Sequence, residues 1–175
     1  QLMVVKNNYF WIKPESQAGF IANGDIIIVE KINNIKEFYG FKFAEITARL
    51  VDYPEMSSFE TVVLMDTLTS NTPSLNYEES QSLYKSVQED YKNEKSSYKR
   101  FLKVKNNPYF NALQVKYSYS ITCHKSQGGQ WDRVFVEYPY LPDGPNKDFF
   151  RWLYTAITRS KKGLYLVGFP KEYFN

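Results

Sequence analysis

The residues best suited to chemistry lie in one run: Thr122, Cys123, His124, Lys125, Ser126, Gln127, Gly128 and Gly129, followed by Gln130, Trp131 and Asp132. Hydroxyl, imidazole, ammonium and amide groups stand here beside two glycines. Such a set is well built to bind phosphate, because glycine lets backbone N–H groups approach a ligand closely. A polar surface turn has the same composition, so the run alone leaves both readings open. A second candidate is Arg159. A guanidinium is permanently charged and planar, which suits it to a triphosphate. The plainer reading is a cation complementing a helix end, as Lys161 and Lys162 can also do. His124 is the only histidine and Cys123 the only cysteine, too few ligands for metal chemistry.

The elements that must position these residues follow from periodicity. Val115 to Ile121 alternates, and Val134-Phe135-Val136 is apolar, so the polar run is a loop between two strands. Phe149, Leu153, Ala156 and Ile157 recur at helical spacing, and Gly163 sits where that helix would end. This places Arg159 in the last helical turn. Leu164 to Val167 then reads as another buried strand.

Together the two segments resemble motifs V and VI of the superfamily-one helicases, of the RecD-like branch. The first match is Thr122, His124, Lys125, Ser126, Gln127 and Gly128; the second is Tyr154, Ala156, Thr158 and Arg159. Two ordered motifs at compatible spacing are far more specific than a lone glycine pattern. Leu2 to Asn8 and Ile21 to Asp25 resemble the family's stretch that precedes an inserted domain. The chain holds no Gly-x-x-x-x-Gly-Lys-Ser/Thr run and no Asp-Glu pair after an apolar strand, so it lacks both Walker motifs. It starts at Gln1 and reads as the C-terminal piece of a larger helicase.

The resemblance implies a motor domain that acts with an upstream RecA-like domain of the same polypeptide. That upstream domain would carry the P-loop and bind most of the ATP and Mg2+. Arg159 would then be the catalytic residue, a finger reaching the γ-phosphate across the cleft. Gly128, Gln130 and Arg159 would be nucleotide-binding. Thr122, His124, Lys125, Ser126 and Gln127 would meet single-stranded DNA and link it to the nucleotide side. A hydroxyl and an imidazole hold a strand's backbone without reading its sequence. The family often has Glu where Gln130 stands; Gln keeps an acceptor oxygen but loses the charge. Trp131 reads as packing and Asp132 as fixing the loop. The implied role is an ATP-dependent helicase that translocates on single-stranded DNA, in DNA repair or recombination. A non-catalytic DNA- or protein-binding module derived from a helicase, and an RNA-directed helicase, are the alternatives.

Composition bounds these readings. Hydrophobic residues make up 43% of 175, enough for a sizeable core and too many for a disordered chain. The net charge of +3 is too small to argue for nucleic acid, so any basic surface must be local. One cysteine excludes an internal disulfide and fits a reducing, cytoplasmic setting. No run of 18 apolar residues exists to span a membrane.

The middle of the chain predicts strands from Ile26, across Phe41 to Val51 and across Glu60 to Leu68, in a small β-barrel or curled sheet. The family often inserts a Src-homology-type barrel here. Asn76 with Glu79 forms a capping-box signal, and Leu83, Val87 and Tyr91 mark one helical face. Lys95 to Lys105 interleaves basic and aromatic residues, a solvated connector or a single-strand track over Tyr98 and Phe101. The expected fold is α/β. A discontinuous RecA-like domain of residues 1–22 and 111–175 would have a mostly parallel sheet, built from the N-terminal, Val115, Val134 and Leu164 strands. Residues 23–110 would form the β-rich insert with one helix.

Overall fold

A computed structural model describes residues 1–174, a mixed α/β structure in two compact units, 1–119 and 120–175. In the first, strands β1 (Leu2–Val4), β2 (Ile26–Phe38), β3 (Phe41–Leu50), β4 (Phe59–Leu64) and β5 (Leu113–Tyr117) close a barrel in that order. Between β4 and β5 lie helices α1 (Asp66–Thr69), α2 (Tyr77–Glu89) and α3 (Ser97–Lys105). The β2–β3 turn is Tyr39-Gly40, with φ of 55° and 77°. These are the two positive values that a two-residue hairpin needs to match strand twist.

Period-two alternation gives β3 and β4 two separate apolar faces. Ala44, Ile46, Ala48 and Val63 join Val4, Ile21, Ile27 and Val115 inside the barrel. Phe43, Val62 and Leu64 point the other way and pack with Leu83, Val87 and Val104 of α2 and α3. The capping box at α2 is present. Asn76 Oδ1 accepts from Glu79 N–H at 2.8 Å, and Glu79 Oε2 accepts from Asn76 N–H at 2.9 Å. Most of the Lys95 to Lys105 stretch becomes α3, capped by Ser96, with Val104 buried and Tyr98 and Phe101 exposed. The middle region therefore holds more than the one expected helix.

β4 and β5 close the barrel through a short parallel pairing, Val63↔Leu113 and Leu64↔Gln114. The chain leaves β4 into α1, where buried Thr67 completes the seam. Its hydroxyl lies 2.8 Å from the Leu64 carbonyl oxygen and 3.0 Å from that of Val115, and it accepts the Val115 N–H at 3.1 Å.

The second unit is one β-α-β crossover. β6 (Trp131–Glu137) and β7 (Ser160–Val167) are parallel and joined through α4 (Lys147–Ile157). Asn146 caps α4, accepting from Asp148 and Phe149 N–H groups, and Phe149 and Ala156 are buried.

Two expectations need correction. β1 and β5 do not extend a parallel sheet with β6 and β7. They pair antiparallel with each other, Met3↔Lys116, and belong to the barrel. Residues 1–22 and 111–119 accordingly group with the barrel, not with residues 120–175 as the discontinuous division has it. Short apolar runs announce a strand but not its neighbour. Among the described residues the only parallel pairings are β6–β7 and the two-residue β4–β5 contact. Secondly, α4 stops at Ile157, so Arg159 follows the helix cap and Gly163 lies within β7, opposite Arg133. Strand pairing claims the chain from Ser160 onward. No helix among the described residues is long and apolar enough to cross a membrane.

Thr67→Val keeps the shape but removes the hydroxyl, leaving the Val115 N–H without its acceptor. The unit should lose about 1–3 kcal/mol, the range for a buried group left unsatisfied. Thr69→Val, at an exposed position, should change the denaturation midpoint little.

Candidate functional site

Between β5 and β6 the chain coils into consecutive turns. The Ser126 N–H donates to the carbonyls of Thr122 (3.1 Å) and Cys123 (3.2 Å), Gln127 N–H to His124 (3.3 Å), and Gly129 N–H to Ser126 (3.1 Å). Ser126 is the inward residue, 6% exposed, and its hydroxyl donates to the Cys123 carbonyl at 2.6 Å. Thr122 Oγ1 accepts the Lys125 N–H at 3.4 Å. The Cys123 thiol donates to the Trp152 carbonyl at 3.4 Å, tying the loop to α4. Burial pushes this thiol up from its ordinary range, while the Ser126 hydrogen bond and the Arg159 charge oppose the shift.

The turns turn the other polar side chains outward. Thr122, His124, Lys125, Gln127, Gly128 and Gln130 are all exposed. The two glycines have different reasons. Gly128 has φ of 84°, a conformation that side-chain-bearing residues resist, with open space around it. Gly129 lies under the Trp131 indole: a Cβ there would sit 2.4 Å from Trp131 Cη2. Trp131 therefore covers the end of the loop, and Asp132 beside it pairs with Lys162 of β7 at 2.8 Å.

Arg159 joins the two segments. Its Nε donates to the Thr155 carbonyl (3.0 Å), one terminal nitrogen to the Gly129 carbonyl (3.2 Å), and the other to Thr158 Oγ1 (3.0 Å). Its own carbonyl accepts the Trp131 N–H at 2.9 Å. Thr158 Oγ1 in turn lies 2.8 Å from the Tyr154 carbonyl and 3.0 Å from that of Thr155. The side chain is half-buried. A cation that merely capped α4 would need no planar fork and no loop carbonyl. Sequence reasoning singled out Arg159 but missed Thr155, Thr158 and Gly129 as its holders. The two threonines, four and one residues before the arginine, were the available signal.

Residues 117–167 match the family described as UvrD-like helicase C-terminal domain. This segment is thus similar to the C-terminal domain of superfamily-one helicases. It contains the coiled loop, all of α4 and β7, and Arg159 with each of its acceptors. A 69-residue stretch, 39% of the chain, is 41% identical to an uncharacterized protein of Methanocaldococcus jannaschii. The chain spans about 6% of that relative's length. Within the second unit the structure thus brings Gly129, Trp131 and Arg159 together. It leaves Thr122, His124, Lys125, Gln127 and Gln130 exposed, and it turns Ser126 inward onto the Cys123 carbonyl.

Gly129→Ala should push the Trp131 indole off the loop, at a cost of about 1–3 kcal/mol typical of overpacking. The resonance of fluorotryptophan at position 131 should shift. Gly128→Ala meets open space and should cost about 1–2 kcal/mol of backbone strain without moving that resonance.

Proposed function

We propose that this chain supplies the second RecA-like motor domain of an ATP-dependent DNA helicase, which couples ATP hydrolysis to translocation on single-stranded DNA in repair or recombination. The observation that carries the proposal is the fork of Arg159. It is held at three donors by Thr155, Thr158 and Gly129, beside an exposed polar loop. The match of the same residues to the UvrD-like C-terminal domain supports it.

A guanidinium has five N–H donors, so three engaged donors leave two for phosphate oxygens. Rigid holding suits a finger, because a preorganised charge loses no binding energy to reorganisation as negative charge spreads in the transition state. An upstream RecA-like domain with a P-loop would hold most of the ATP and Mg2+, which supply the phosphoryl-transfer chemistry. On this side of the cleft Gly128 would offer its backbone N–H and Gln130 its amide. Thr122 and His124 would grip the DNA backbone, with Lys125 and Gln127 between the two ligands. Ser126 would keep the turns in shape rather than touch DNA. Arg159 and the loop share the Gly129 carbonyl. A strand that moved the loop would therefore move the finger.

The β6–β7 sheet supports the larger assembly. Parallel strands are normally covered on both faces. Here Phe135 is 69% exposed and Tyr165 46%, stacked on one another at 4.6 Å, and Leu164 and Val167 are exposed as well. Further strands and helices of a RecA-like domain would cover them.

The test is steady-state ATP turnover by the whole helicase carrying both domains, with saturating single-stranded DNA, and with RNA for comparison. Arg159→Lys should lower turnover by about 100-fold or more while nucleotide and DNA affinity change far less. If Arg159 only braces the loop, turnover will fall no further than the folded fraction measured by melting. The chain by itself, without a P-loop, should hydrolyse no ATP.

A further inference from the structure

The barrel unit carries a groove of about 590 Å3 that the motor chemistry does not use. It lies between the Lys6–Phe10 loop, α2 and the end of α3, and none of its lining residues is Asp or Glu. Lys6 and Lys105 are its charges, and neither pairs with a carboxylate among the described residues. Gln81 and Asn106 add exposed amides.

Tyr9 is the outstanding feature, 68% exposed yet rigidly presented. Its loop is pinned from behind. Asn8 pairs with Ile21 through two backbone hydrogen bonds (2.8 and 2.9 Å), and its side-chain amide donates to the Asn111 carbonyl at 2.9 Å. Trp11 Nε1 donates to the same carbonyl at 2.8 Å. One side of the Tyr9 ring stacks on Phe20, with centroids 4.8 Å apart and planes at 24°. An aromatic ring fixed on one face and open on the other is a stacking platform. Set between lysines and amides without a carboxylate, it matches what an unpaired nucleic-acid strand requires: a base on the ring and phosphates on the cations.

We infer that this groove binds single-stranded nucleic acid, with a base stacked on Tyr9 and phosphates met by Lys6 and Lys105. The inference shares its ligand class with the helicase reading but none of that reading's residues. A duplex would not serve, since its bases are already stacked.

The probe is a single-stranded oligo(dT) of about 12 nucleotides, within the span one small β-barrel covers, carrying 5-iodouracil for photo-cross-linking to the intact chain. Tyr9 should be cross-linked, and should remain so in the Thr122→Ala/His124→Ala variant. Tyr9→Ala should weaken binding about fivefold or more, and Tyr9→Phe should restore it. Replacing both Lys6 and Lys105 by Gln should reduce the salt slope of binding by about 1.4, at about 0.7 per phosphate on a single strand. Cross-links confined to residues 120–175, a Tyr9→Ala variant that binds like the parent, or no binding at all would overturn the groove. Loss of the Tyr9 cross-link in the Thr122→Ala/His124→Ala variant would overturn it too, by making binding there depend on the loop. If the loop reading fails instead, the Tyr9 cross-link and its salt dependence persist.

Discussion

The second unit depends on how one guanidinium satisfies its donors. Arg159 stands where α4 ends and β7 begins, and its fork reaches back to Thr155 and across to Gly129. Half-buried N–H donors need acceptors, and the helix end and the loop both have carbonyls to spare. One residue thus closes the helix, anchors the loop and fixes where its own remaining donors point. A lysine at that position has three donors about a single nitrogen and cannot span the same acceptors in one plane.

Around this fork the loop is arranged by exclusion. Gly129 has no side chain because Trp131 lies over it, and Ser126 points inward because its hydroxyl meets the Cys123 carbonyl. What remains outward is a hydroxyl, an imidazole, an ammonium and two amides. Exposed polar groups on a loop held by interior hydrogen bonds combine low desolvation cost with defined position, which is what ligand contact requires.

The barrel unit solves a different problem, that of one sheet serving two cores. β3 and β4 send alternate residues into the barrel and out toward α2 and α3. The helices cover the outer face, and their arrival beside the Lys6–Phe10 loop creates the groove. Thr67 lets the chain leave β4 for those helices without opening the barrel seam. The same inserted segment therefore produces both the second core and the groove.

Local chemistry was legible in the residues themselves. The polar, glycine-containing loop of Thr122 to Gly129, the Asn76–Glu79 cap and the strand at Ile26 all depend on neighbours a few positions apart. Arg159 could be singled out from its motif, though not its acceptors, because Gly129 lies thirty residues earlier and only folding brings its carbonyl within reach. The end of α4 was misjudged for a related reason: β6 captures Ser160 into a strand before Gly163 can terminate a helix. Strand partners were not legible either. Leu2 to Val4 and Leu113 to Tyr117 are short apolar runs whose patterns fit a parallel sheet or a barrel equally well. Hydrogen bonding to β2 and β4 decides for the barrel. The groove at Tyr9 had no sequence signature, since Lys6, Tyr9 and Lys105 are almost a hundred residues apart at the extremes. Short-range patterns of side chain and backbone determined the elements and the family resemblance. Long-range pairing, which no local pattern encodes, decided the domain division, the acceptors of Arg159 and the groove.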